Sequence, residues 1–254
     1  MSEENGRSIK SIENAFEIIE AVREADGIRL NELSEVVEKS PSTLHQYLQT
    51  LLQSEFLVKV GHEYHLSYRF LDYGEYARQR NPLFEITSKK VVQLADNTGE
   101  RAQFVVPEHQ QVVVLNTVVG DQAVKAGVRT GQRFPMHATA AGKAMLAHYP
   151  PARVKEIIEA RGLTEITEHT ITDEEELFDV LEEVRESGVA FNNQEDTSGL
   201  RAIGCAIRDA DGLPVGALSV SGPSHRLEQA EFEQELIDRL KSTTNEIELR
   251  FRYD

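Results

Sequence analysis

The 254-residue chain has one cysteine, no tryptophan, three methionines and no long apolar run. A lone Cys205 excludes an internal disulfide and any zinc site built from cysteine pairs. No stretch approaches the ~18 apolar residues that read as a membrane span. The opening Met1-Ser2-Glu3-Glu4-Asn5 carries acids where a secretory signal has a basic and then an apolar region. The expectation is a cytoplasmic protein with no membrane partner. Basic residues are scarce too: 27 Lys and Arg face 43 Asp and Glu, a net charge of −16, and only 9 of the 27 are Lys. Such a surface suits high salt, where counterions screen self-repulsion, so a halophilic origin is expected. Taken alone, the charge opposes a nucleic-acid partner, whose footprint is usually basic.

What is present is globular: 40% hydrophobic and 28% charged residues, enough chain for one large domain or two smaller ones. Ile9, Ile12, Phe16, Ile19 and Val22 recur at helical steps over 8–25, stopped by Asp26-Gly27. A short helix fits 31–39, with Leu33, Val36 and Val37 inward. Ser40 and Pro41 then suit the cap and first position of a third helix running to about Ser54, with Leu44, Leu48, Leu51 and Leu52 apolar. Strands at 56–60 and 63–66 around Gly61-His62 read as a β-hairpin. Three short helices and a hairpin make a winged helix-turn-helix domain, 8–67. A linker helix fills 68–81, ended by Asn81-Pro82.

From 82 to 254 helices and strands interleave: helices at 83–98, 138–148, 151–161, 173–187 (capped by Thr172) and 226–251, and strands at 103–106, 112–119, 123–128, 189–191, 202–208 and 214–221. This is an α/β multi-domain chain whose second part is an effector-type α/β domain.

The third helix opens a route round the charge objection. From Lys39 to Ser54 there is no acidic residue, where the overall composition would put about three. Its polar residues are Ser, Thr, His, Gln and Tyr, groups that bond phosphate oxygens and base edges. Helical spacing sets Ser42, Thr43, Gln46, Tyr47 and Thr50 opposite the leucines, as a helix lying in the major groove requires. Ser40, His45, and Lys59 and His62 of the hairpin complete the candidate DNA-binding set. The alternative is a neutral amphipathic helix that packs on protein.

These residues carry a family resemblance. Ser11–Gly74, through Leu30-Asn31-Glu32-Leu33-Ser34, Ser42-Thr43-Leu44-His45 and Tyr64-His65-Leu66, resembles the N-terminal domain of the isocitrate-lyase-regulator (IclR) family of transcription factors. The likeness continues through 131–144 (Gly131-Gln132-Arg133-Phe134-Pro135 to Gly142-Lys143-Ala144), Gly188-Val189-Ala190, Glu195, 199–204, Asp211-Gly212 and 217–223. It implies a winged helix and a GAF-like effector domain, acting as a dimer or tetramer on a near-palindromic operator. Family members usually have Arg where this chain has Gln46, which favours adenine over guanine at that contact.

The resemblance also implies a small-molecule sensor. Small residues 138–142 precede a helix, and in the family this loop receives a ligand carboxylate. Ser219 and Ser221, two apart on a strand, share one face, with Cys205 or Ala206 expected near it on the neighbouring strand. Ala140, Ala141, Asp196, Cys205, Ser219 and Ser221 are the candidate effector contacts, for an organic, sugar or aromatic acid. Glu195 and Asp196 stand where the family has an acidic pocket residue.

Three other chemistries fail. Gly142-Lys143 lacks the P-loop pattern, with His137 at the first glycine's place and Ala144 after the lysine. His62 and His65 have no third metal ligand near them. His169, His225 and Cys205 carry no activating motif. No metal, cofactor or catalytic residue is expected, and the chain reads as a regulator of catabolic genes rather than an enzyme. The rival reading is a metabolite-sensing or oligomerisation module without specific DNA binding.

Overall fold

The computed structural model describes residues 8–124 and 127–253. They form two compact units that part between Ala77 and Arg78. The first unit contains α1 (Lys10–Glu24), β1 (Ile28–Arg29), α2 (Leu30–Val36), α3 (Pro41–Gln53), β2 (Leu57–Val60) and β3 (Glu63–Leu66). The strands pair antiparallel in the order β1-β3-β2. Helix α4 (Arg69–Gln79) follows and carries the division between the units.

Local chemistry accounts for the joints. The Ser40 hydroxyl accepts from the Thr43 amide and Pro41 opens α3, so the cap read from sequence forms. Gly27 has φ +115, and a Cβ there would meet the His65 ring at 2.1 Å, so both backbone and space require glycine. The core joins Ile18 and Val22 of α1, Leu33 of α2, Leu44 and Leu48 of α3, and Tyr64 of β3. Two expectations change. Val36 is 63% exposed, because α2 ends there and turns Val37 inward instead. Ile9, Ile12 and Phe16 are exposed, so the apolar stripe of α1 is wider than its buried face.

The second unit is an α/β domain around one antiparallel sheet. Its elements are α5 (Phe84–Thr98), β4 (Arg101–Glu108), β5 (Gln111–Val119), β6 (Arg133–Pro135), α6 (Ala140–Leu146), α7 (Pro151–Arg161), α8 (Glu174–Ser187), β7 (Ala190–Asn193), β8 (Leu200–Arg208), β9 (Pro214–Pro223), α9 (Ser224–Leu227) and α10 (Ala230–Tyr253). The strand order is β6-β5-β4-β9-β8-β7. Period-two alternation splits the strands between two cores. Phe104, Cys205, Leu218 and Val220 pack with α5 and α10 on one face, and Val105, Val114 and Ala217 pack with α6 and α8 on the other.

Details depart from the sequence reading. The cap of α8 is Asp173, which accepts from the Glu176 amide, not Thr172. Of the strand expected over 123–128, the described positions are not strand, and Lys125 and Ala126 lie outside the described residues. The short strand β6, read only as part of a family motif, pairs with β5.

Leu48 is fully buried where α3 meets the small N-terminal core. Leu48→Ala is expected to cost about 2–5 kcal/mol of unfolding free energy, read by chemical denaturation. A loss below about 1 kcal/mol would contradict the packing described.

Candidate functional site

The structure separates the polar residues of α3 into two sets. Ser42, His45, Gln46 and Gln49 are exposed, at spacings that share the outer face. Thr43 and Tyr47 are half-buried, and with Gln46 and Thr50 they line an apolar groove of about 710 Å³ against Ile12, Ala15 and Phe16 of α1. The Tyr47 hydroxyl accepts from Asn14 at 3.0 Å, and the Thr50 hydroxyl donates to the Gln46 carbonyl at 2.9 Å. The expected single face therefore divides, with Gln46 on the edge of both halves. Gln49 was missed in sequence because only the positions opposite the leucines were counted.

Lys59 and His62 are exposed on the hairpin, with the Lys59 ammonium 5.2 Å from the Tyr64 ring centroid. Tyr64 itself is core. Lys39, before the cap, is ion-paired to Glu17 at 2.5 Å.

In the second unit a cavity of about 340 Å³ opens over β4, β9 and β8 beside the start of α6. Ala140, Ala141, Asp196, Ser219 and Ser221 all line it. Cys205 does not. It lies one residue out of phase with the cavity-facing positions, buried in the opposite core, where loss of solvent pushes its thiol up to about 12. The register instead brings Gly204 beside Ser219. A Cβ at Gly204 would stand 2.8 Å from the Ala140 carbonyl carbon and the Ala141 nitrogen, so glycine lets α6 lie directly on the sheet. The cavity also takes Arg101, Gln103, Asn192 and Thr139, which sequence reading did not select. The alternation 101, 103, 105 on one strand was the signal for the first two.

Behind this wall sits a charge pair withdrawn from water. Lys143 of α6 is 2% exposed and Glu195 4%, and the Lys143 ammonium donates to both carboxylate oxygens of Glu195. Burial pushes the Lys143 pKa down, and the Glu195 carboxylate opposes that shift. The backbone around Glu195 is fixed in turn. Its amide donates to Asn192 Oδ1 at 2.8 Å, its carbonyl accepts from Thr170 at 2.7 Å, and Asn192 Nδ2 donates to Asp196. Of the two adjacent acids, Glu195 turns inward to Lys143 and Asp196 faces the cavity. Burial pushes the Asp196 carboxyl above its ordinary range. Burial acts in the opposite direction on His137, holding it below its ordinary value, and its ring is bonded to the Thr164 carbonyl.

Among the described residues, no group of three or more His, Cys, Asp and Glu can hold a metal, and no helix is long and apolar enough to cross a membrane.

Comparison with known proteins matches these two units separately. Residues 11–61 match the IclR helix-turn-helix domain, and residues 76–249 match the bacterial transcriptional regulator IclR C-terminal family. The chain is 32% identical over 248 residues to a probable HTH-type transcriptional regulator, ArcR, of Halobacterium salinarum, covering 96% of this chain and 94% of the relative. The crystal structure of the Thermotoga maritima IclR is 28% identical and superposes with a TM-score of 0.81 over 96% of this chain and 99% of that one. A PobR transcription factor inducer-binding domain from Acinetobacter, solved in complex with 3-hydroxybenzoic acid, is 28% identical with a TM-score of 0.59, over 65% of this chain and 97% of that one.

Lys143→Met would strand the Glu195 carboxylate in the interior and is expected to cost about 3–5 kcal/mol. Adding Glu195→Leu removes the stranded charge and should recover much of that loss in the same denaturation measurement. A double variant no more stable than the single would contradict a buried, mutually compensating pair.

Proposed function

The chain belongs to the IclR family of DNA-binding transcriptional regulators, with an effector-binding C-terminal domain that responds to small metabolites, and from that premise we propose how this chain reads DNA and binds its effector. The outer face of α3 enters the major groove, with Ser42, His45, Gln46 and Gln49 toward base edges and phosphates. Ser40 at the cap and Lys59 and His62 on the hairpin meet the backbone. Thr43, Tyr47 and Thr50 act from the α1 side, where they set the helix's angle. The observation that carries this reading is the outer face of the acid-free α3, exposed and uncharged in a chain of net charge −16.

Two such domains in a dimer or tetramer would read a near-palindromic operator, with half-sites spaced by multiples of about 34–36 Å. The effector is a small acid held against Ala140, Ala141, Asp196, Ser219 and Ser221. It changes operator binding only through its difference in affinity for two states of the protein. The genes controlled are catabolic. Relatives of this chain are regulators rather than enzymes, and no catalytic role is assigned to it.

The test is retardation of genomic fragments across a KCl series. Wild type is expected to retard a discrete set, and its affinity should fall gently with salt, because few Lys or Arg contact phosphate and few counterions are released. Gln46→Ala should weaken the specific complex by about 1–3 kcal/mol. No specific retardation at any salt would move the weight to a sensing module without DNA.

A further inference from the structure

A second cavity of about 190 Å³ lies among α7, α8 and the end of α6, and shares no lining residue with the cavity over the sheet. Its depth is apolar, with Met136, Leu146, Ile157 and Leu177 all buried. Its rim is exposed at Arg161, Gly162 and Thr164. One Arg161 terminal nitrogen donates to the His109 carbonyl at 2.7 Å. Cavities of about 150 Å³ lined by hydrocarbon take up benzene. The space here therefore admits a single six-membered ring with one substituent.

One buried polar side chain interrupts the apolar wall. His137 lines the cavity and is 5% exposed. Its Nε2 lies 3.1 Å from the Thr164 carbonyl oxygen. A carbonyl only accepts, so Nε2 carries the proton and donates. Burial holds the pKa of the ring below its ordinary value and keeps it neutral at pH 7. A neutral imidazole protonated at Nε2 keeps a lone pair on Nδ1. Among the described residues, Nδ1 has no hydrogen-bond partner. A buried acceptor left unpaired is costly, and a ligand hydroxyl satisfies it.

We propose that this cavity is a second small-molecule site, which takes a neutral alcohol of up to one ring. The hydrocarbon lies among Met136, Leu146, Ile157 and Leu177, and the hydroxyl donates to His137 Nδ1. A ketone of the same shape sets lone pairs against a lone pair. A carboxylate does the same and carries a charge into an apolar wall. The occupant also bears on the Glu195 turn. His137 holds Thr164 in the loop 162–173. From that loop the Thr167 hydroxyl donates to the Gln194 carbonyl at 2.8 Å, and the Thr170 hydroxyl to the Glu195 carbonyl at 2.7 Å. Filling the cavity steadies the loop and the turn together.

The experiment is calorimetric titration of the full chain with cyclohexanol, cyclohexanone and cyclohexanecarboxylate. It is run on wild type, His137→Leu and Ile158→Phe, with thermal melting as the check on folding. Cyclohexanol is expected to bind about tenfold or more tighter than the other two. His137→Leu should lose that preference and keep its affinity for the ketone. Ile158→Phe, which fills the half-buried wall, should weaken cyclohexanol by about tenfold or more. Amide hydrogen exchange of wild type over 162–173 and 192–196 should slow with cyclohexanol present. If a variant does not fold, the alcohol-to-ketone ratio and the exchange map of wild type decide. Equal binding of the ketone overturns His137 as the acceptor. Preference for the carboxylate gives the selection to Arg161 and overturns the neutral ligand class. Unchanged cyclohexanol affinity in Ile158→Phe puts the binding elsewhere and overturns the site. Tight binding with unchanged exchange overturns the link to the Glu195 turn. If none of the three probes binds, the site falls.

Discussion

The Lys143–Glu195 pair is the constraint on which the effector domain is built. Two opposite charges lie out of water, each tolerable there only because the other is in place. Lys143 belongs to α6 and Glu195 to the turn after β7, so the pair ties the helix to that turn. Asn192 and Asp196 follow, because the same turn carries the bonds that orient them toward the cavity. The small residues at the start of α6 serve the same end. Gly204 lets Ala140 and Ala141 approach the sheet, and a Cβ at Gly142 would stand 2.2 Å from the Met136 carbonyl oxygen. Charge and close approach together fix one wall of the cavity.

The opposite wall is set by register alone. Antiparallel pairing of β4, β9 and β8 aligns side chains that are far apart in sequence, such as Arg101 with Ser221 and Gln103 with Ser219. A single-residue slip of β4 would send Arg101 into the second core and bring Phe104 over the cavity. The full burial of Phe104 among α5 and α10 residues resists that slip. Packing on one face of the sheet thus holds the cavity-lining side chains on the other.

The helices and most strands were legible because their signals are local: the Ser40-Pro41 cap, the leucine spacing in α3, and the hairpin turn at Gly61-His62. Five of the six expected effector residues also line the cavity, through strand parity and a family motif. What failed was relational. Cys205 was placed by nearness to a pocket strand, and only the β8–β9 register shows that Gly204, not Cys205, lies beside Ser219 on that face of the sheet, under the start of α6. Lys143 entered as half of a failed phosphate-loop pattern, since its partner lies 52 residues away. Arg101 was invisible until β4 was paired. On α3, the sequence shows the helix and its leucine face, but the position of α1, which decides which polar side chains stay exposed, is tertiary.

An acidic chain of this family has to find particular DNA sites with few basic side chains. Genome-wide occupancy of the tagged protein in its own host, under several carbon sources, is the measurement that decides whether it does. Sharp peaks that share an inverted repeat with adenine-containing half-sites, beside catabolic genes, are expected. Uniform background under every condition would contradict that expectation.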